Sequence, residues 1–332
     1  MIILAADVGG TKTNIALVSF QGRTVRPFLL RSFPSRQFAN LERIVRTFVS
    51  AGGPRVRVDG ACFGVAGPVV RGTCHTLNLP WTVSQRRLQA ALPAASVHVI
   101  NDLEAMAYGT ARLSAKDVVT IHRGRPQPRG NRALIAAGTG LGEAMLWWDG
   151  AAHRPSASEG GHADFAPRTA LEMDLLRWLQ REHAHVSYER VVSGPGLVRL
   201  YRFLRLRTKT AEPRWLTSAL RDQDAGAVIT QAGLARRERC CRQALEIFVS
   251  LYGAEAGNLA MKALATGGVY LGGGIAPKIL PLLRQGGFLR AFLDKGRMRR
   301  LLADIPVRVI VNEHAALWGA AHYAWLQRQK GL

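Results

Sequence analysis

The 332-residue chain is long enough for one large domain or two ordinary ones, each with a core of its own. Its hydrophobic residues, 48% of the total, form no run near the roughly 20 residues of a membrane-spanning helix. The net charge of +22 favours anionic ligands, but the arginines are scattered along the chain, which argues against a dedicated nucleic-acid-binding protein.

The N-terminus and the cysteines indicate a cytoplasmic protein. The apolar start is interrupted at Asp7 and has no basic region before it, so no signal peptide is expected. The four cysteines are not spaced as pairs that bind a metal, and we expect them to be reduced thiols.

Strands and helices are predicted to alternate in the first third of the chain. Strands are expected at 2–7, 14–20, 58–67 and 97–100, and helices at 39–52 and 101–113. A related pattern begins near residue 132, with strands expected at 133–138, 143–148, 269–275 and 305–311, and helices at 171–181, 197–206, 234–252 and 314–326. Both halves open with a strand, a glycine-rich turn and a strand. We therefore predict a structural repeat of two lobes with both turns at the mouth of one cleft.

The first glycine-rich turn is D-V-G-G-T-K-T, from Asp7 to Thr13. Glycine permits the tight turn and the close approach of a phosphate, while Thr11, Thr13 and Lys12 offer hydroxyl groups and a cation. A carboxylate in the position of Asp7 can hold Mg²⁺ directly or through water. An ordinary β-hairpin turn remains the alternative interpretation.

Two further glycine segments follow. A-G-T-G-L-G, Ala137 to Gly142, comes after a buried strand and suits phosphate, although it is not a Walker A sequence. Glu143 comes next, and its charge would repel a polyanion unless the side chain points away. The segment from Thr266 to Ile275 either admits a flat ligand such as adenine or serves close helix–strand packing.

Polar residues in three other segments suit a sugar. Asn101 and Asp102 stand where a buried strand meets a helix, and Asp102 can accept the proton of an attacking hydroxyl, although an Asn/Asp helix cap is the plainer interpretation. Glu159 and His162 bracket two glycines, which lets both side chains face one pocket. Glu189 precedes a helix that begins at S-G-P-G, and it is either a ligand or a surface charge.

Together these motifs resemble the bacterial glucokinase family, the non-ROK branch of the actin/hexokinase/Hsp70 superfamily. The resemblance covers essentially the whole chain in order, from DVGGTKT, FGVAGPV and TLNLPW through VINDLEA, AGTGLGEA, SEGGHADFAP and YERVVSGPGL to GGVYLGGGI and DKGRM. It implies a two-lobe actin-like ATPase fold, of the ribonuclease H-like type, with duplicated mixed-sheet cores and an interlobe cleft. The implied domains are 1–112 with 313–332, which is small, and 113–312, which is large.

The resemblance also implies roles for particular residues in an ATP- and Mg²⁺-dependent kinase that phosphorylates the 6-hydroxyl of glucose. Asp102 would be the catalytic base. The sugar would be held by Asn78, Asn101, Asp102, Glu159, His162 and Glu189. The nucleotide would be held by Asp7, Gly9, Gly10, Thr11, Lys12, Gly138, Thr139, Gly140, Gly142, Gly272, Gly273 and Gly274, with Asp7 also holding Mg²⁺.

The resemblance further implies a homodimer without a membrane or a specific nucleic acid as partner. The related ROK kinases carry a cysteine-rich zinc motif, and the cysteine spacing here predicts no structural metal. Two alternatives stay open. One is a kinase that uses another hexose as substrate or polyphosphate as donor. The other is a sugar-responsive regulator without catalysis. Two features argue against the regulator, namely a first strand that begins close to the N-terminus and the intact Asp102.

Overall fold

A computed structural model describes residues 1–21, 24–51, 56–76, 79–92 and 96–330. The chain folds as two units, one made of Met1–Asp117, Arg154–Ala157 and Asn312–Leu332, and the other of Val118–His153 and Ser158–Val311. The domain limits expected from the sequence remain a prediction. No helix in the described part of the chain has the length and apolar character needed to cross a bilayer.

The first unit is built on a mixed sheet. The described strands and helices up to residue 117 are β1 (Ile2–Val8), β2 (Lys12–Gln21), β3 (Thr24–Pro34), α1 (Leu41–Ala51), β4 (Gly60–Val65), β5 (Val69–Val70), β6 (Thr73–His75), β7 (Thr82–Ser84), α2 (Gln85–Ala91), β8 (Ser96–Asn101) and α3 (Asp102–Gly109). The main sheet has the order β3-β2-β1-β4-β8, and β5, β6 and β7 form a small separate sheet. β1, β4 and β8 are parallel, so their carboxyl ends meet at one edge.

The second unit holds the other large sheet. Its described elements are β9 (Val118–His122), β10 (Arg132–Ala137), β11 (Leu141–Trp148), β12 (His153–Ser158), α4 (Ala170–Leu179), α5 (Gly194–Thr208), α6 (Arg214–Asp222), α7 (Ala225–Leu234), α8 (Arg239–Lys262), β13 (Gly268–Gly272), α9 (Leu280–Leu283), α10 (Gly287–Leu293), α11 (Arg299–Asp304) and β14 (Val307–Ile310). The strand order is β12-β11-β10-β13-β14-β9. The closing helix α12 (Ala315–Gln329) belongs to the first unit.

Alternation along β1 explains why the first sheet is covered on both faces. Leu4 and Ala6 lie in one hydrophobic cluster with α1, whereas Ile3 and Ala5 lie in another with α12. Successive side chains of a strand point to opposite faces, so an apolar run such as this belongs to a strand buried on both sides. The carboxyl edge of this sheet, where Asn101 and Asp102 lie, is therefore held between two helical layers.

The predicted elements are confirmed in kind, and both units contain the expected strand–turn–strand hairpin, β1 with β2 and β10 with β11. One helix was predicted wrongly. The segment 234–252 is split, because Arg236 has a left-handed φ of 54° and Glu238 caps α8 by accepting a hydrogen bond from Cys241 N at 2.6 Å. Several short strands and helices, among them β5, β6, β7, β9, β12, α6 and α9, were not anticipated.

Candidate active site

Asn101 holds the junction between β8 and α3. Its Oδ1 accepts hydrogen bonds from Leu103 N at 2.9 Å and Glu104 N at 3.2 Å, and its Nδ2 donates to Gly67 O at 3.0 Å. The helix-cap interpretation is therefore correct for this side chain. The cap fixes the direction in which α3 starts, and so the position of Asp102 in its first turn.

Asp102 lies in the first turn of α3, at the carboxyl edge of the first sheet, and within electrostatic range of Asp7. Burial, and secondarily the negative charge of Asp7, raise the pKa of Asp102 to about 6. Its Oδ1 accepts a hydrogen bond from Leu103 N at 2.8 Å, which orients the carboxylate. A carboxylate with this pKa is ionised at neutral pH and a stronger proton acceptor than an ordinary aspartate, as a general base requires.

The first glycine turn is held by a serine that the sequence analysis did not single out. Ser35 Oγ donates to Gly9 O at 2.8 Å, and Ser35 N donates to Thr11 O at 3.0 Å. Thr11 and Lys12 are exposed, and Gly9 and Gly10 are half-buried. Thr13 is a correction to the sequence analysis: it is fully buried, and its hydroxyl is hydrogen-bonded to Ser35 Oγ at 3.0 Å, so it is not a phosphate donor.

The carboxylate of Asp7 offers the chemistry that Mg²⁺ prefers. Burial raises the pKa of Asp7, while a side-chain hydrogen bond from Asn14 and the charge of Lys12 oppose the rise. Among the described residues no three His, Cys, Asp or Glu side chains gather as a metal-binding group. Magnesium in kinases is bound by one or two carboxylates together with substrate phosphates, and Asp7 fits that pattern.

The second glycine turn joins β10 to β11. Gly138 N donates to Gly140 O at 2.9 Å, Gly194 N donates to Gly138 O at 2.8 Å, and Thr139 is exposed. A Cβ at Gly138 would meet nothing within 4 Å, so this position is open to a ligand. Gly142 lies beyond the turn, inside β11, where it pairs with Ala136.

Glu189 contacts this second turn. Its Oε2 accepts a hydrogen bond from Leu141 N at 3.0 Å. A Cβ at Gly140 would come within 2.5 Å of the same oxygen, which explains the glycine. Only 29% of the Glu189 side chain is exposed, and its carboxylate accepts a hydrogen bond from the end of the turn. Glu189 is therefore not the surface charge that was left open as an alternative.

His162 is the last residue of the short helical turn Gly160–His162, and Glu159 directly precedes this turn. His162 lies beside Glu189. His162 Nε2 is 3.9 Å from Glu159 Oε2, and His162 Nδ1 is 4.0 Å from Glu189 Oε1. The side chains of Glu159 and His162 are 73% and 58% exposed, so their hydrogen-bonding atoms are accessible to a ligand. The second unit thus brings together three of the residues expected to bind a sugar.

The third glycine segment meets the second turn at the carboxyl ends of β10 and β13. Gly272 is buried at the end of β13. Gly273 has a φ of 79°, and a Cβ there would overlap the carbonyl of Ala137, so close packing explains this glycine. Gly274 is exposed, with nothing within 4 Å of a Cβ, and it is the position open to a flat ligand. The remaining expected sugar ligand, Asn78, lies outside the described residues.

Glu143 faces the interior, which is the exception that its sequence position left open. Only 1% of it is exposed, and burial together with the neighbouring Glu255 raises its pKa to about 8. The raised pKa favours the uncharged form of this buried carboxyl group. Glu143 and the next residue of β11, Ala144, are both buried, so alternation along the strand does not mark Glu143 as an inward-facing residue.

The chain is similar over nearly its whole length to known proteins. A family model described as glucokinase matches residues 4–327. A protein named glucokinase from Nostoc punctiforme is 42% identical over 96% of this chain and 98% of its own. The crystal structure of a glucokinase from an Antarctic psychrotroph is 32% identical, with a TM-score of 0.85 over 98% of this chain and 99% of that one.

A more distant likeness concerns the fold alone. A ROK family glucokinase from Streptomyces griseus, solved with glucose and AMPPNP, is 21% identical, with a TM-score of 0.67 over 98% of this chain and all of that one. The predicted actin-like ATPase fold of the hexokinase type is confirmed by these structural matches.

Proposed function

The chain belongs to the glucokinase family, and on this premise we propose that it transfers the γ-phosphate of ATP to the 6-hydroxyl of glucose, with Asp102 as general base. The observation that carries the proposal is the position of Asp102 in the capped first turn of α3, within electrostatic range of Asp7 and with its pKa raised to about 6. Phosphoryl transfer asks little covalent chemistry of the protein beyond positioning, charge and the acceptance of one proton.

Asp102 takes the proton of the attacking hydroxyl onto a carboxylate oxygen. The hydrogen bond from Leu103 N at 2.8 Å holds the carboxylate in one orientation, and the Asn101 cap holds the turn that carries it. The raised pKa makes the transfer more favourable than it would be to an ordinary aspartate, while leaving the group ionised at neutral pH.

The glycine turns are the proposed nucleotide ligands. In the first unit these are the backbone of Gly9, Gly10 and Thr11, with the exposed Lys12 as a cation. In the second unit they are Gly138, Thr139 and Gly140 for phosphate, with Gly142 adjoining, and the segment Gly272, Gly273 and Gly274 for adenosine. Mg²⁺ bound at Asp7 would neutralise the phosphate charge that develops during transfer.

The proposed sugar ligands are Asn78, Asn101, Asp102, Glu159, His162 and Glu189. Carboxylates and imidazole nitrogens accept and donate hydrogen bonds to hydroxyl groups. Of the proposed sugar ligands in the second unit, Glu189 is the best placed. Leu141 N fixes its carboxylate by donating a hydrogen bond to Oε2, and Oε1 lies toward His162. A sugar bound there would lie next to the second glycine turn.

We also propose a homodimer and a cytoplasmic location. The four cysteines are all unpaired and buried, which suits a reducing compartment.

A coupled assay tests the proposed function directly. We expect ADP release to depend on glucose, to be slower with mannose or fructose, and to stop when EDTA removes Mg²⁺. Replacing ATP with polyphosphate tests the alternative donor that the net charge of +22 suggests. No turnover with any hexose and either donor would contradict the kinase and favour the regulator.

Glu189→Gln is expected to raise the KM for glucose by roughly tenfold or more, since a hydrogen bond to a charged group contributes about 1.5–3 kcal/mol. The amide oxygen can still accept from Leu141 N, so the KM for ATP should change much less. Glu182→Gln removes the same charge at an exposed position and serves as the matched control. Steady-state kinetics with each substrate varied would decide, and equal KM values for glucose in both variants would remove Glu189 from the sugar site.

A further inference from the structure

Two buried carboxyl groups meet beneath the turn of the second unit that carries the proposed sugar ligands Glu159 and His162. Glu143 comes from β11 and Glu255 from α8, and their exposed fractions are 1% and 0%. Each lies close enough to perturb the titration of the other. Glu143 Oε1 and Glu255 Oε1 are both buried, and neither accepts a hydrogen bond from any nitrogen or hydroxyl group of the described residues. A proton held between the two carboxyl groups supplies a donor, and it avoids placing two negative charges in one buried site.

The surroundings place the negative charge on Glu255 and the proton on Glu143. Asn258 Nδ2 donates to Glu255 Oε2 at 2.8 Å, and Lys262 Nζ lies 3.8 Å from Glu255 Oε1. Lys295 Nζ donates to Asn258 Oδ1 at 2.6 Å and adds a second positive charge nearby. For Glu143 the interacting groups are Glu255 itself and, at longer range, Lys262. The other titratable or charged groups that face this pair are Tyr188, Tyr252 and, beyond Lys295, Arg168.

Glu143 is also in direct contact with the turn that carries Glu159 and His162. A Cβ at Gly160 would overlap Glu143 Oε2, so the carboxyl group packs against the backbone of Gly160. Ser158 Oγ donates to Glu143 O at 3.1 Å and accepts a hydrogen bond from Gly160 N at 3.2 Å. The side chain and the backbone of Glu143 therefore both support this turn.

We propose that Glu143 is a positioning residue for glucose binding: its carboxyl group, kept neutral by the proton it shares with Glu255, supports Gly160 and thereby places Glu159 and His162. The inference rests on the proposed function, because it takes these two residues to be sugar ligands. It adds a buried group that touches neither sugar nor nucleotide and acts through the backbone of the turn.

The proposal has a consequence for pH. Burial and the charge of Glu255 raise the pKa of Glu143 to about 8, and burial raises that of Glu255 too. A raised carboxyl pKa means that the proton is present below about pH 8 and is lost above it. Loss of the proton leaves two like charges in contact, which pushes Glu143 away from Glu255 and disturbs Gly160. Glucose affinity should therefore fall as the pH rises, by at most tenfold per pH unit for a single proton.

The test compares wild type, Glu143→Gln and Glu143→Ala. Glutamine reproduces the neutral carboxyl in size and cannot lose a proton, whereas alanine removes the support. Between pH 7 and pH 9 we expect the wild-type KM for glucose to rise between about threefold and tenfold, and that of Glu143→Gln to stay flat. Glu143→Ala should raise the KM on the order of tenfold at every pH, with rescue by glutamine at pH 7.

A second measurement separates this inference from the proposed function. Glucose titration followed by tryptophan fluorescence, without ATP, should show the same pH dependence in the dissociation constant. If wild type phosphorylates glucose but its affinity is constant from pH 7 to pH 9, or if Glu143→Gln shows the same loss, the positioning role of Glu143 is wrong. A persistent loss in Glu143→Gln would assign the titration to another group, such as Lys295, whose pKa burial lowers. If wild type neither binds nor phosphorylates glucose, the proposed function fails instead.

Discussion

Asp102→Ala is expected to lower kcat by at least about 100-fold, and up to 10⁴-fold, while glucose binding weakens only modestly. The reason is that a general base acts chiefly as the transition state forms, so its loss appears in kcat more than in the ground-state affinity. Asp102→Asn should fall as far, because the amide keeps the shape but cannot accept the proton. Glucose binding measured without turnover would separate this loss from misfolding.

Glu104→Gln provides the matched control in the same turn of α3. Its carboxyl group is also partly buried, and burial raises its pKa, but it has no proposed part in the reaction. We expect its kcat to stay within a few-fold of wild type. Near-normal kcat in Asp102→Ala, or an equal loss in Glu104→Gln, would remove Asp102 from the role of base.

The dependence of kcat/KM on pH is an independent test of Asp102 as the general base. Because burial raises the pKa of Asp102 to about 6, the active ionised form is lost as the pH falls through that value. The kcat/KM for glucose should therefore drop toward tenfold per pH unit below about 6. The residual activity of Asp102→Asn should lack this acid limb.

Gly319→Ala is expected to destabilise the protein by about 2–3 kcal/mol, since overpacking of a tightly packed interior typically costs about 1–3 kcal/mol. A Cβ at Gly319 of α12 would overlap the carbonyl of Ala105 and lie 2.5 Å from Gly109 N, both in the backbone of α3. Backbone atoms cannot rotate away as a side chain can, so the two helices must separate. Urea unfolding followed by tryptophan fluorescence would measure the change.

Gly287→Ala is the matched control for the added methyl group. At this helical glycine a Cβ would meet Val249 Cγ1 at 3.7 Å, an ordinary contact. Removing the flexibility of glycine from the unfolded chain should leave stability unchanged or raise it by about 0.4–1 kcal/mol. An unfolding midpoint of Gly319→Ala equal to that of wild type would show that α3 and α12 are not packed as closely as described.

The prediction from sequence worked best where a local pattern has a local cause. The helix at 39–52 appears as α1 because its apolar residues recur with the helical period, and the strand at 2–7 appears as β1 because a short continuous apolar run suits a strand buried on both faces. Asn101 was recognised as a possible helix cap, and it is one. The order of the motifs along the chain was also sufficient for the family, because that order does not depend on contacts in space.

Contacts between distant segments could not be derived in this way. Thr13 faces the interior and bonds to Ser35, 22 residues away, because the register of β1 and β2 sets its side. Glu189 bonds to Leu141 N across 48 residues, which a surface charge would not do. The break before α8 depends on a left-handed Arg236, a backbone conformation that a run of apolar residues does not reveal.

The charge state of the site was likewise decided only by tertiary structure. The sequence by itself determined that carboxylates stand at Asp7, Asp102 and Glu143, and that the first two follow or end buried strands. It did not determine that Asp102 is raised to a pKa of about 6 by burial and by Asp7, or that Glu143 meets Glu255 beneath Gly160. The free energy of a charge depends on the dielectric and on the charges that folding brings within a few ångströms, and those neighbours come from other parts of the chain.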